Sequence, residues 1–276
     1  MSWKMYKVVL QLLSPLHIGK RKIGNLQQTR YYVPGRTLWG ALTARIAREY
    51  ENFDYEKTGK DVDEFLRFCY FYPSDDDKKI TLFPWENLDE FEWKYIQSYV
   101  TTALDSNTRK AEGGSLHEIE YIAQKTRENK KVYLIGYIFE RDGSKLKWKE
   151  VLSKVQLGGE RTYGWGRVVV SSIMETHKLD YPGYKVELNE DTPIVKASKS
   201  DSKPYALISH VLFDEQLNNH IVRGNIEPLV GLETNMKNGN FGSKVSTAKI
   251  CWTPGTVFEE EYSFLICQKG IWKFES

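Results

Sequence analysis

The sequence predicts a mixed α+β chain built from two units. Three observations predict it. Short apolar, β-branched runs and one stretch of helical spacing share the first fifty residues. A glycine-rich loop spanning 158–167 leads straight into the run Val168-Val169-Val170. The texture turns polar after Ser171-Ser172, and strand signals resume at Tyr205.

The elements follow in order. Tyr6 to Leu13 reads as a strand that ends at Ser14-Pro15. A basic, glycine-punctuated loop runs from Gly19 to about Thr29. Tyr31-Tyr32-Val33 is extended, and Pro34-Gly35 signals a turn. Thr37 is the expected cap of a helix that carries Leu38, Ala41, Leu42, Arg45, Ile46 and Ala47 at helical spacing. Residues 51–98 are dense in charge and aromatics, with a helix near Asp61 to Phe68, and read as an insertion in the first unit. Ile119 to Ala123 and Val132 to Phe139 read as strands, and Val151 to Val155 as a short helix. The first unit is therefore expected over 1–172, a linker over 173–204, and a second, smaller α+β unit over 205–276. That second unit opens with a strand from Tyr205 to Phe213 and closes on a hairpin of Tyr262 to Cys267 with Ile271 to Phe274. Tyr32-Val33-Pro34-Gly35 is echoed by Trp252-Thr253-Pro254-Gly255, which fits two related units.

Composition bounds the function. With 41% hydrophobic and 28% charged residues, the chain can bury a core and remain soluble. Its net charge is only +2, so nucleic-acid binding must come from a local patch. Basic residues do gather early, at Lys20, Arg21, Lys22, Arg30, Arg36, Arg45 and Arg48, while acids gather at 75–77 and 259–261. Eight Trp and 17 Tyr give a surplus of rings for stacking, for interfaces or for the core. Three widely spaced cysteines argue against a disulfide framework or a structural zinc site. Neither a signal peptide nor a membrane-spanning stretch is read, so a cytoplasmic location without membrane contact is expected.

The segment Gly158-Gly159-Glu160-Arg161-Thr162-Tyr163-Gly164-Trp165-Gly166-Arg167 is the most distinctive in the chain. Glycine admits positive φ and close approach of phosphates to backbone N–H groups, arginine pairs with phosphate, and Tyr and Trp stack on bases. No Gly-Lys-Ser or Gly-Lys-Thr follows, and a strand stands where a dinucleotide fold needs a helix. The residues alone leave two readings open, a ligand-cradling loop or a tight β-turn.

Four segments, in order, resemble the RAMP superfamily of CRISPR-associated proteins. Leu12-Leu13-Ser14-Pro15-Leu16-His17-Ile18-Gly19 is similar to its first strand and loop, and residues 31–42, Tyr31 through Leu42, to its Pro-Gly helix start. Residues 103–120, with Asp105, Asn107, Arg109 and His117, resemble its thumb region, and 158–167 its glycine-rich loop. The resemblance covers residues 1 to about 170. It implies α+β architecture of two ferredoxin-like (RRM-related) units that grip a CRISPR RNA in a type III effector complex, with target RNA met through the guide and other effector subunits as partners. It also implies that the glycine loop and the helix after Pro34-Gly35 lie against the RNA backbone, and that the thumb pushes between bases. Carried over residue by residue, the expected RNA contacts are His17, Lys20, Arg21, Arg36, Arg45, Asn107, Arg109, Arg161, Tyr163, Trp165 and Arg167.

Catalysis is weighed separately. Many backbone subunits of this superfamily cleave target RNA with an aspartate in the loop after the first strand. The loop from Gly19 to Arg30 holds no Asp or Glu here, and Asp105 on the thumb reads as a turn cap. Guide-processing relatives instead use a metal-independent acid and base, for which His17 and His117 are the available pair. No metal or cofactor is expected. The leading expectation is an RNA-binding subunit, at the end bearing the 5′ handle or as a non-cleaving backbone paralogue. A guide-processing endoribonuclease and a purely structural interaction subunit are the alternatives.

Overall fold

The computed structural model describes residues 2–197, 205–215, 220–233, 244–258 and 260–275. Its first half contains strands β1 (Trp3–Leu12), β2 (Gly19–Ile23), β3 (Leu26–Thr29), β4 (Leu66–Phe68), β5 (Tyr72–Ser74), β6 (Ile96–Thr101), β7 (His117–Ile122), β8 (Tyr133–Arg141) and β9 (Val168–Thr176). Between them lie helices α1 (Gly35–Tyr50), α2 (Tyr55–Phe65), α3 (Leu88–Tyr95) and the one-turn α4 (Trp148–Val151). The main sheet runs β4-β8-β1-β9, with β5 also pairing β8, and all these pairs are antiparallel. Counting β4 and β5 as one edge strand, the order along the sheet is second, third, first, fourth.

β1 is buried on both faces from Met5 to Leu10, which fits its mostly apolar sequence, interrupted by Lys7 and Gln11. Tyr6, Val8, Leu10 and Leu12 face a core shared with Leu38, Leu42 and Ile46 of α1 and with Trp148 of α4. Trp3 and Met5 face the other way, into a core with Tyr70, Tyr137 and Phe139 and with Val195, Phe264 and Trp272 of the second half. The sheet thus lies between its helices and a second sheet, and each odd or even position of β1 serves one side.

The second half comprises β10 (Tyr184–Leu188), β11 (Pro193–Ala197), β12 (Tyr205–Ala206), β13 (Val211–Leu212), β14 (Ile221–Arg223), β15 (Ile226–Leu229), β16 (Leu232–Glu233), β17 (Lys244–Val245), β18 (Lys249–Trp252), β19 (Val257–Phe258), β20 (Tyr262–Ile266) and β21 (Trp272–Phe274). Seven of these form one sheet in the order β10-β11-β20-β21-β13-β18-β15. Among the described residues after Thr176, the complete elements are strands and one 3-10 turn, Gln268–Gly270, where a second α+β unit is expected.

Several expectations are corrected. Within the segment 51–98, read as an insertion, residues 66–74 belong to the main sheet: β4 and β5 form its edge, and their rings pack so densely on both faces that no alternation marks them. The helix expected near Asp61 to Phe68 begins and ends earlier, as α2, and its cap is Asp54, whose side chain accepts from Lys57 N. Thr37 does not cap α1: Pro34 holds that position without a side-chain bond, and Thr37 N donates to Pro34 O at 2.9 Å. The segment 173–204, read as a linker, carries the end of β9 and the β10–β11 hairpin, which joins β20 in the second sheet; residues 198–204 lie outside the described residues. The strand expected over 205–213 is split between β12 and β13, which join different sheets around buried Ser209 and His210. Pro34-Gly35 opens a helix whereas Pro254-Gly255 turns into β19, so the echo marks no repeat.

Candidate nucleic-acid interface

The glycine loop is clasped to the loop that follows β1. Gly159 N donates to His17 O at 2.9 Å, and Gly166 N to Pro15 O at 2.7 Å. Arg167 N donates to Ser14 Oγ at 2.9 Å, and Leu13 N to Arg167 O at 2.9 Å. Glycine is required at two points. At Gly166, φ is +74°, and a Cβ would stand 1.8 Å from Leu157 O. At Gly158, φ is +75°, and a Cβ would stand 2.2 Å from His17 O. Two segments far apart in sequence therefore meet backbone to backbone, and Arg161, Thr162, Tyr163 and Arg167 of the loop are exposed.

Those side chains differ in their freedom. Arg161, Tyr163 and Arg167 are exposed, Tyr163 to 79%. Trp165 is half-buried, edge-on to Tyr121 at 5.0 Å and to Tyr99 at 6.4 Å between ring centroids. It thereby joins the glycine loop to the β6–β7 hairpin, whose two strands pair in register from Ile96↔Ile122 to Thr101↔His117. Asn107 and Arg109 are exposed on the far tip of that hairpin. Lys20 and Arg21 lie on β2, exposed along its length; Lys20 sits 5.7 Å from the Tyr31 ring and Arg21 Nε donates to Gln28 at 2.7 Å.

A groove runs from the glycine loop past the first turn of α1. It consists of two cavities of about 650 and 430 Å³. Both are lined by Arg36, Thr37, Gly158, Glu233 and Lys269. Arg161 and Trp39 add to the larger, and Gly159, Arg30 and Lys249 to the smaller. Arg36 binds Glu233 at 3.1 Å, and Lys269 binds the same carboxylate oxygen at 2.9 Å. Arg45 is engaged elsewhere, with Glu49 of its own helix at 2.5 Å. Asp63 lies 3.7 Å from Lys269; burial raises its carboxyl to about 6, against the pull of Lys269 and Arg67.

The sequence model of the RAMP superfamily matches residues 9–169, more than half of the chain. The chain belongs to the RAMP superfamily. A chain in a cryo-EM structure of the Type III-B Cmr-beta bound to cognate target RNA and AMPPnP is similar in fold, with a TM-score of 0.51 and 16% identity over 91% of this chain and 85% of that chain. A chain in another structure, of Cmr-beta bound to cognate target RNA, gives a TM-score of 0.48 at 16% identity, over 91% of this chain and 86% of that chain. No curated protein matches the sequence.

This RAMP protein does not bring its two candidate catalytic histidines together. His17 is buried, and its Nδ1 lies 2.7 Å from Glu120 O. That carbonyl only accepts, so Nδ1 carries a proton and donates it to the bond. His117 stands on β7, three residues and about 10 Å along the strand from Glu120, with Nδ1 at 2.8 Å from Ser115 O. Asp105 caps its turn, accepting from Asn107 N and Thr108 N at 2.8 Å each, and those two N–H groups hold its carboxyl below the usual range. Among the described residues, no His, Cys, Asp and Glu gather in a way that could hold a metal ion. No helix among them is long and apolar enough to cross a membrane.

Sequence reasoning missed Lys269, Lys249, Trp39 and the partners Glu233 and Glu227. Lys269 is a lone cation near the chain's end; only the tertiary fold carries it to α1. Trp39 sits inside the Pro-Gly helix segment at 31–42, and Lys269 Nζ lies 4.2 Å from its ring centroid.

Proposed function

We propose that this RAMP protein is an RNA-binding subunit of a type III CRISPR ribonucleoprotein effector complex, holding the guide RNA along the groove beside its glycine loop. The carrying observation is the loop itself: two glycines that admit no Cβ shape it and its backbone bonds clasp the Ser14–His17 segment, while its Arg161, Tyr163 and Arg167 stay exposed beside a groove lined by five further cations. Exposed arginines pair with phosphates without having to break an internal bond first, and an exposed tyrosine offers a face for a base. Asn107 and Arg109 on the hairpin tip, with Lys20 and Arg21 near the loop, are secondary contacts on this reading, whereas His17 is buried and holds β7 through Glu120 O. The strand order second, third, first, fourth supports reading the main sheet as a ferredoxin-like unit. Neighbouring effector subunits are its partners, and target RNA is met through the guide. The 5′-handle end and a non-cleaving backbone position are both compatible with this role. Cleavage by a His17–His117 pair is disfavoured, because an acid and a base must both reach one phosphodiester.

The test is binding of single-stranded repeat RNA as a function of salt. Each phosphate contact contributes about 0.7 to the slope of log affinity against log salt for a single strand. Replacing Arg161 and Arg167 together with Ala is expected to weaken binding and to flatten the slope by about 1.4. Unchanged affinity and slope would remove the glycine loop from the interface.

A further inference from the structure

The segment Gly231–Glu233 of the second half crosses the groove over α1. A Cβ at Gly231 would stand 2.3 Å from Arg36 Nε, so the backbone there rests on the guanidinium. One carboxylate oxygen of Glu233 accepts from Arg36 Nη2 at 3.1 Å and from Lys269 Nζ at 2.9 Å. Arg36, Glu233 and Lys269 keep 26%, 24% and 20% of their side chains exposed, so all three can be reached from the groove. Both cavities are lined by these three residues, so the ion cluster stands where the two adjoin.

An oxygen shared between a guanidinium and an ammonium is also how a phosphodiester oxygen binds, and the two groups carry the same single negative charge. Glu233 therefore sits where the groove is built to take a phosphate. We propose that Arg36 and Lys269 form a phosphodiester-binding site, and that Glu233 occupies it as an internal competitor that RNA must displace. The proposal rests on the RNA-binding reading above and adds Lys269 and Glu233 to it. Arg36 then contacts RNA only after the carboxylate has left, whereas Arg161 is available from the start.

The experiment measures binding of a fluorescent oligouridylate RNA by wild type, Glu233→Gln, Lys269→Met and the double variant, across a salt series. Glu233→Gln is expected to bind about three- to tenfold more tightly, because two partly exposed ion pairs no longer oppose the RNA. Its slope should steepen by about 0.7 for the phosphate newly held. Lys269→Met is expected to bind more weakly, and in that background Glu233→Gln should gain less. A thermal melt accompanies each variant. If Glu233→Gln melts well below wild type, Glu233→Asp replaces it: the shorter side chain retreats from Lys269 while keeping its charge, and a tighter complex is again expected. Equal or weaker RNA binding by these Glu233 variants, with the Arg161 and Arg167 replacements still weakening binding, would overturn the competitor and leave the RNA-binding reading intact. Salt-independent binding by the wild type would remove both.

Discussion

Replacing Glu227 with Gln tests the ion cluster that joins the two halves of the chain. Arg30 grips both oxygens of Glu227, Nη1 to Oε1 at 2.5 Å and Nη2 to Oε2 at 3.1 Å, and His210 Nε2 lies 2.5 Å from Oε1. The carboxylate only accepts, so His210 carries its proton on Nε2, and its Nδ1 accepts from the Tyr70 hydroxyl at 2.7 Å. Burial depresses His210, which favours this neutral imidazole. Burial alone would raise Glu227, but the bonds from His210 and Arg30 prevail and hold it at about 2. The gap from its ordinary 4.5 corresponds to about 3 kcal/mol at 1.36 kcal/mol per pKa unit. A fifth of the side chain meets solvent, so about 2 kcal/mol is expected after screening. The folded pKa lies below the unfolded one, so this stability is fully present above pH 4.5 and fades as pH falls through about 2. Denaturant unfolding of wild type and Glu227→Gln should therefore differ by about 2 kcal/mol near neutral pH, or about 4 °C in Tm, with the gap shrinking towards about pH 2. A gap that stayed constant with pH, or no gap at neutral pH, would refute the charge argument.

Two further outcomes follow from the site. Gly166→Ala should cost about 2–3 kcal/mol and weaken RNA binding, because its Cβ would stand 1.8 Å from Leu157 O, whereas Gly164→Ala, with φ +81° but open space around it, should cost about 1 kcal/mol; equal melting temperatures for the two variants would show that the backbone clasp is not what positions the loop. With EDTA present, wild type should give no discrete product from repeat RNA, and His17→Ala should lose about 1–2 kcal/mol of stability with its bond to Glu120 O; a 2′,3′-cyclic-phosphate product lost in His17→Ala or His117→Ala would favour a processing nuclease.

What the sequence revealed and what it hid have physical causes. β1 and α1 are legible because one is rich in apolar and β-branched residues and the other carries Leu38, Leu42 and Ile46 on a single face. The glycine loop was legible because positive φ leaves its mark as glycine. The edge strands β4 and β5 were not: Phe68-Cys69-Tyr70-Phe71-Tyr72 is buried at every position, so the period of two that marks a half-exposed strand is missing. The β10–β11 hairpin does alternate, with Tyr184, Val186 and Leu188 between Lys185 and Glu187, but its polar face and the lysine-rich stretch after it gave the segment the composition of a linker. His17 and Arg45 were found by motif, yet their surroundings could not be. One is committed to a strand carbonyl and the other to a carboxylate one helical turn away.

The pairing of charges across the halves decides which cations are free to act. Arg30 meets Glu227 and Arg36 meets Glu233, each pair separated by 197 residues. The second half thus advances six residues along the first with its acids in step, and no local pattern announces a contact at that distance. On the proposed RNA-binding role, a chain of net charge only +2 must attract RNA through the distribution of its charge. The second half neutralises the arginines beside α1 and leaves those of the glycine loop exposed, which on that proposal concentrates attraction at Arg161 and Arg167. A strand arriving there meets cations that already have partners only as it extends along the groove. The energy of each further contact is then the difference between a phosphate and a carboxylate on the same cation, rather than the full strength of an ion pair. The first encounter is accordingly expected to depend strongly on salt and the later contacts on geometry, so replacing Arg161 should slow association, and replacing Lys269 should speed release.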